Sequence, residues 1–232
     1  MRVCLDPGHA RLTAGKRSFD GKLLEYEFNR DVAKRIQAIL EQHNIEVVYS
    51  CDPVIDKDTT EVSRVRNANA TGANIFVSLH ANAYGSDWNS ANGWEIYVCA
   101  KGGEAEKLAK AIHAESIPYL GVRDRGVKEN PFYVLTQTVM PAVLIEHAFY
   151  TNKEECALLL SDEFREKCAI ADANGILAYL NLRQNNTQEE KTSWAEQSWK
   201  KAVQKGVFDG TDPQGTVTRE MLAVVLDRLN LL

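Results

Sequence analysis

No stretch of this sequence approaches the roughly 18 consecutive apolar residues that a membrane span needs, so no spanning helix is expected. No basic block stands out either, and the formal net charge is −5. The electrostatic footprint of a nucleic-acid binder is therefore missing. Proline and glycine are few, and with 44% hydrophobic and 25% charged residues the composition is that of a soluble globular chain. The five cysteines (Cys4, Cys51, Cys99, Cys156, Cys168) are odd in number, widely spaced and without a CxxC pair. That signals neither a zinc ribbon nor a disulfide framework and fits synthesis in a reducing compartment. Cys4 and Cys99 lie in apolar strand-like runs, where a free cysteine acts as a small buried hydrophobe. A leader is also not expected, because Met1-Arg2-Val3-Cys4-Leu5 already reads as a first core strand.

What is present is an alternation of strands and helices. Residues 2–6 form a short apolar strand closed by Pro7-Gly8. From Glu25 to Gln42, Phe28, Val32, Ile36, Ile39 and Leu40 fall on one helical stripe, with Arg30, Asp31, Lys34 and Glu41 elsewhere. Strands are expected over 45–49, 75–79, 94–99, 132–135 and 142–146. Helices are expected over 59–71 with Thr59 or Thr60 as cap, over 105–116 ending ahead of Pro118, and over 162–182. The pattern is that of an α/β domain with a mixed, mostly parallel sheet flanked by helices on both faces. It fills residues 1–182. A polar linker without apolar residues follows over 183–192, and a small, mainly helical module with a Gly-rich turn covers 193–232. About forty residues make a poor independent core, so this module is expected to pack on something else.

The chemistry gathers at strand ends. His9 follows the first strand, His80 follows the strand at 75–79, and Glu146 ends the strand at 142–146. Ligands of open α/β sheets bind at the carboxyl ends of the strands. Helical phase separates two acids that open the first helix. Glu25 shares the core-facing stripe with Phe28 and Val32, whereas Glu27 lies about 200° away on the polar face at roughly 100° per residue. An inward carboxylate is costly unless paired or bound to metal, which favours Glu25 as a ligand. Two imidazoles, one carboxylate and a water are a common coordination for catalytic zinc. A further acid must then move the water's proton, and Glu146 on its rigid strand end suits that task. Singly, each of these residues is more often structural than ligating. Only their joint placement points to a metal site, and on the residues alone both readings stay open. His147 falls on the opposite face of the strand from Glu146, in a structural position. His43 and His113 sit in polar helical contexts without a role.

Four motifs at these residues, Leu5-Asp6-Pro7-Gly8-His9, Glu25-Tyr26-Glu27-Phe28-Asn29, Ser78-Leu79-His80-Ala81-Asn82-Ala83 and Ile145-Glu146-His147-Ala148-Phe149-Tyr150-Thr151-Asn152, resemble the zinc N-acetylmuramoyl-L-alanine amidases in order and phrasing. The resemblance is to the amidase-3 family of autolysins, spore-associated lysins and phage endolysins, and it spans about residues 1–182. It implies a six-stranded mixed sheet, zinc held by His9, Glu25 and His80, and Glu146 as the catalytic acid–base. It further implies cleavage of the amide between N-acetylmuramic acid and L-alanine in bacterial peptidoglycan. Ala148 stands where the family often has glycine. Without a leader, such an enzyme would be made in the cytoplasm and reach the wall after release, through a holin or cell lysis.

Trp194-Ala195-Glu196, Ala202, Gly206-Val207-Phe208-Asp209-Gly210 and Val217-Thr218-Arg219-Glu220-Met221 resemble one S-layer-homology repeat. Such repeats attach proteins to secondary cell-wall polymers, usually as three copies. The single copy leaves wall targeting, homodimerisation and packing on the catalytic domain as its alternatives. For the catalytic domain the rivals are a zinc-dependent stem-peptide endopeptidase, which needs the same ligand set, and a non-catalytic wall-binding protein, which would be expected to have lost a ligand. A glycosidase would leave the histidines unexplained.

Overall fold

The computed structural model describes residues 1–52, 58–181, 201–205, 224, 226 and 227. The chain separates into two compact units, Met1–Leu182 and Arg183–Leu232. The linker at 183–192 lies outside the described residues. So does most of the module at 193–232, of which residues 201–204 are helical.

Six strands form one sheet in the first unit: β1 (Arg2–Pro7), β2 (Glu46–Tyr49), β3 (Ile75–Asn82), β4 (Trp94–Val98), β5 (Asp124–Glu129) and β6 (Ala142–Phe149), in the order β2-β1-β3-β6-β4-β5. All neighbours run parallel except β4 and β6, which are antiparallel with Glu95 opposite Glu146 and Tyr97 opposite Leu144. This is the mixed, mostly parallel sheet that the alternating pattern predicts.

Strand alternation divides the core into two. Val3, Leu5, Ile75, Val77, Val143 and Ile145 pack against three helices, α1 (Glu25–Gln42), α3 (Glu104–Leu120) and α6 (Asp162–Tyr179). On α1, Phe28, Val32, Ile36 and Leu40 are fully buried, as their spacing requires. Cys4, Phe76 and Leu144 point the other way, into a smaller cluster with α2 (Glu61–Ala70) and α4 (Tyr133–Thr136). Two residues further along the same strands, Asp6, Ser78 and Glu146, and His80 two beyond Ser78, continue that second face. The polar chemistry is thus the outer end of the smaller core. Thr60 caps α2, its side chain accepting the Ser63 N–H at 3.2 Å.

Several elements differ from the sequence reading. Residues 132–135, expected as a strand, largely form the short helix α4. A run of four apolar residues carries no usable period. The strand at that edge is β5, whose sequence Asp-Arg-Gly-Val-Lys-Glu has no apolar run because an edge strand is half solvated. Helix α3 continues through Pro118 and ends at Gly121 with φ 66°. Proline removes one hydrogen bond, to the carbonyl of Ala114, and that residue is exposed so water can serve it. A further helix, α5 (Lys153–Leu160), follows β6, with Asn152 accepting the Glu154 and Glu155 N–H groups. Cys99 lies exposed past the end of β4 rather than buried, and the cysteines are unpaired. No helix among the described residues is long and apolar enough to cross a membrane.

Candidate active site

β1 delivers His9 through a turn that only a small residue permits. Gly8 lies flat against the His80 imidazole, and a Cβ there would fall 2.1 Å from its Cε1. His9 itself is left-handed, with φ 61°, a conformation that costs an L-residue roughly 1–2 kcal/mol. Surrounding donors hold it there. Arg30 Nη1 and Arg64 Nη2 donate to the His9 carbonyl at 2.9 and 3.2 Å, and Asn29 donates to that of Gly8 at 3.0 Å. The sequence reading put Arg30 on the polar face of α1. It is buried instead, because the carbonyl of a strained turn needs a donor.

Arg64 is the centre of this support. Its guanidinium also reaches Asp6 (2.8 Å), the Pro7 carbonyl (2.9 Å), the Thr59 carbonyl (2.9 Å) and Asp58 (3.0 Å). Asp6 is buried, which alone would raise its pKa. The charge of Arg64 and the hydroxyls of Ser50 and Ser78 outweigh that and hold it below the usual carboxylate range. These residues carry no sequence signal beyond Asp6 lying in the first motif, since their partners come from distant elements.

His9, Glu25 and His80 converge, with one ligand atom from each lying within 4.8 Å of the others. His80 Nδ1 donates to Glu25 Oε1 at 3.0 Å, His9 Nε2 lies 3.5 Å from the same oxygen, and the two rings meet edge to face at 4.9 Å. Glu25 is 1% exposed and Glu27 is exposed, as the phase of α1 predicts. Burial alone would raise the Glu25 carboxyl, yet the hydrogen bond from His80 and the charges of His9 and His80 keep it low. Burial pushes His9 down to about 4, against the pull of Glu25, so its imidazole is neutral near pH 7. For His80 burial is again the largest influence, but the hydrogen bond and charge of Glu25 outweigh it and raise the pKa.

Buried atoms test whether a metal fits. His9 Nε2 and Glu25 Oε2 have no hydrogen-bond partner, and neither does Glu146 Oε2. Unpaired buried polar atoms are costly and rare. Two imidazoles and a carboxylate are the donor set of a catalytic zinc, which leaves an open position. The residues present fit the ion.

Glu146 stands opposite His80 in the β3–β6 register. Burial pushes its carboxyl up to about 7, with Glu25 and Glu95 adding to the rise and His80 opposing it. A cavity of about 500 Å³ opens over this end of the sheet, with Gly8, His9, Lys16, His80 and Glu146 in its wall. The next residue, His147, turns to the opposite face and is fully buried. Its Nε2 donates to Asp172 of α6 at 2.7 Å and its Nδ1 donates to the His80 carbonyl at 3.0 Å. That pair ties α6 and β6 to the backbone of His80. Burial disfavours the His147 cation, but Asp172 outweighs burial and raises its pKa.

The chain is similar to known proteins along this whole unit. Residues 3–178 match the family described as Amidase_3, N-acetylmuramoyl-L-alanine amidase. The N-acetylmuramoyl-L-alanine amidase LytC of Bacillus subtilis (strain 168) is 35% identical over 179 residues, which are 76% of this chain and 35% of LytC. This chain therefore spans about a third of that relative's length. The endolysin of Bacillus phage SPP1 is 32% identical over 191 residues, covering 79% of this chain and 68% of the endolysin. Among solved structures, the catalytic domain of CwlV, an N-acetylmuramoyl-L-alanine amidase from Bacillus (Paenibacillus) polymyxa var. colistinus, superposes with a TM-score of 0.72 at 33% identity. That match covers 78% of this chain and 99% of the CwlV domain. On the family match over most of its length, the chain belongs to the Amidase_3 family of N-acetylmuramoyl-L-alanine amidases.

Proposed function

We propose that this chain hydrolyses the amide between N-acetylmuramic acid and L-alanine in bacterial peptidoglycan, using zinc held by His9, Glu25 and His80 with Glu146 as acid and base. The observation that carries the reading is the convergence of three ligand atoms beside the half-buried Glu146 carboxyl, whose buried Oε2 has no hydrogen-bond partner. When bound, zinc supplies a Lewis acid for the carbonyl and lowers the pKa of its water to about 7.

The protein's own groups do the rest. His9, neutral near pH 7, offers a free lone pair, and Glu25 offers charge from a carboxylate already held low. The Arg30 and Arg64 contacts keep His9 in its left-handed turn, and Gly8 leaves room for the His80 ring. Glu146, near 7, is divided between acid and carboxylate at neutral pH. It takes the proton of the attacking water and returns it to the departing nitrogen of L-alanine, as an acid–base group matched to the working pH does.

For residues 193–232, the likeness to an S-layer repeat supports attachment to a secondary wall polymer, with dimerisation as the alternative. Removing 193–232 should weaken binding to purified walls; unchanged binding overturns that assignment. An enzyme of this kind acts at the cell wall.

Digestion of purified peptidoglycan, with and without a chelator, tests the catalytic reading through the new end groups. New N-terminal L-alanine that disappears with chelation is expected. New amino groups on another stem residue would make the chain an endopeptidase on the same site. Zinc binding with no new ends would leave a wall-binding protein.

A further inference from the structure

The side of Glu146 away from the histidines carries a second built cluster. Glu95 of β4 lies directly opposite Glu146, so the two side chains share a face with their backbones about 5 Å apart. Glu95 is 2% exposed and fully satisfied. Its Oε1 accepts Asn82 Nδ2 at 2.7 Å and the Tyr97 hydroxyl at 2.6 Å. Its Oε2 accepts Arg125 Nε at 2.5 Å and the Lys128 ammonium.

Two cations thus share one carboxylate oxygen, and each keeps donors to spare. Arg125 is braced over the Phe149 ring at 4.9 Å, and its other bond is to the Asn92 carbonyl at 3.4 Å. The Glu155 carboxylate also lies within electrostatic reach of Arg125, but it is occupied by the Gly93 and Phe149 N–H groups. Lys128 is the cation in excess. Its side chain is 34% exposed, and its ammonium sits 5.9 Å from the Tyr97 ring centroid. Tyr97 packs edge to face on Phe132 at 5.2 Å and stands opposite Leu144; Phe132 and Leu144 line the cavity that holds Glu146. The cluster therefore adjoins the wall of that cavity.

Direction follows from Glu146. It gives its proton to the departing nitrogen, with the histidines on its other side, so the chain beyond that nitrogen extends toward β4 and β5. We propose that Lys128 and Arg125, held by Glu95, form a subsite for a carboxylate on the amine side of the scissile bond, the free carboxylate of the second stem-peptide residue. This rests on the amidase reading above and goes beyond it, to which substrates the enzyme prefers. A charged partner gains a charge-assisted hydrogen bond that its neutral amide lacks, and binding at such a distance from the reacting bond serves specificity.

The test reads binding and cleavage separately. Binding is measured with the uncleavable dipeptides L-alanyl-D-glutamate γ-methylamide and L-alanyl-D-isoglutamine γ-methylamide, of which only the first has a free carboxylate on the second residue, and cleavage with their N-acetylmuramoyl forms, for wild type and Lys128→Gln. That variant keeps Arg125 on Glu95, so the fold is spared. The acid should bind roughly tenfold more tightly than the amide to wild type and within about twofold in Lys128→Gln. KM for the acid substrate should rise while kcat stays near wild type. Equal affinities in wild type, or a Lys128→Gln effect of the same size on both dipeptides, would overturn the subsite. Preferential binding of the acid without release of N-terminal L-alanine would uphold the subsite and overturn the amidase reading instead.

Discussion

Glu146 stands between two buried carboxylates that are built in opposite ways. Glu25, on the histidine side, keeps Oε2 without a hydrogen-bond partner, with the Lys16 ammonium 3.9 Å away, while Glu95, on the other side, spends both oxygens on four donors. Both are held low, Glu95 at about 2, where burial would raise it but Lys128, Tyr97, Arg125 and Asn82 outweigh burial. An unsatisfied buried oxygen is an invitation to a cation. A saturated carboxylate is a scaffold, and what it presents to the cleft is its donors. In the proposed reading the same residue type serves metal binding on one flank and recognition on the other.

The largest effect should come from removing the charge on the open side. Glu25→Gln should lose most bound zinc and at least about 100-fold in turnover, because the ligand set falls to two imidazoles; metal analysis of the purified variant checks this. The matching change on the saturated side, at Lys128, leaves the zinc in place.

Gly8→Ala comes next. The new methyl collides with the His80 ring and must swing it out of reach of Glu25. Zinc affinity should fall about 10- to 100-fold, in the range seen when support of a metal ligand is lost, as competition with a chromophoric chelator would show.

Asp172→Asn breaks the buried pair with His147 and should cost about 3 kcal/mol of stability in a denaturant titration. Both partners are fully buried, so the loss has little solvent to soften it.

A smaller, pH-dependent effect belongs to Glu146 in metal-free protein. Its pKa rises from an ordinary 4.5 to about 7 on folding. Between those values the folded state holds a proton that the unfolded state has released. The stabilisation is fully present below about pH 4.5 and is lost as pH rises through about 7. Melting curves of wild type against Glu146→Gln across this window should show wild type losing ground as pH rises.

The two flanks also differ in how far the sequence reveals them. The histidine side rests on parallel strands with continuous apolar runs and on a helix of strong period, so His9, His80 and the choice of Glu25 over Glu27 are all legible from pattern and phase. The Glu95 side is not. β5 is a polar edge strand with no apolar signature, and the antiparallel pairing that sets Glu95 against Glu146 is a tertiary fact with no local trace. The supports of His9 were hidden for the same reason. Arg30 reads as a surface residue until the carbonyl it serves is seen, and Arg64 gathers partners from β1 and from residues 58 and 59. Local pattern shows which residues are buried; it does not show what a buried charge meets.

The division of labour at the centre is tested most directly by Glu146→Gln, with zinc content and L-alanine release measured on one preparation. About one zinc per chain with turnover reduced at least 100-fold is the expected result, within the range for loss of a general acid–base. Turnover near wild type, or zinc lost together with activity, would contradict the assignment of Glu146 as an acid–base separate from the metal ligands.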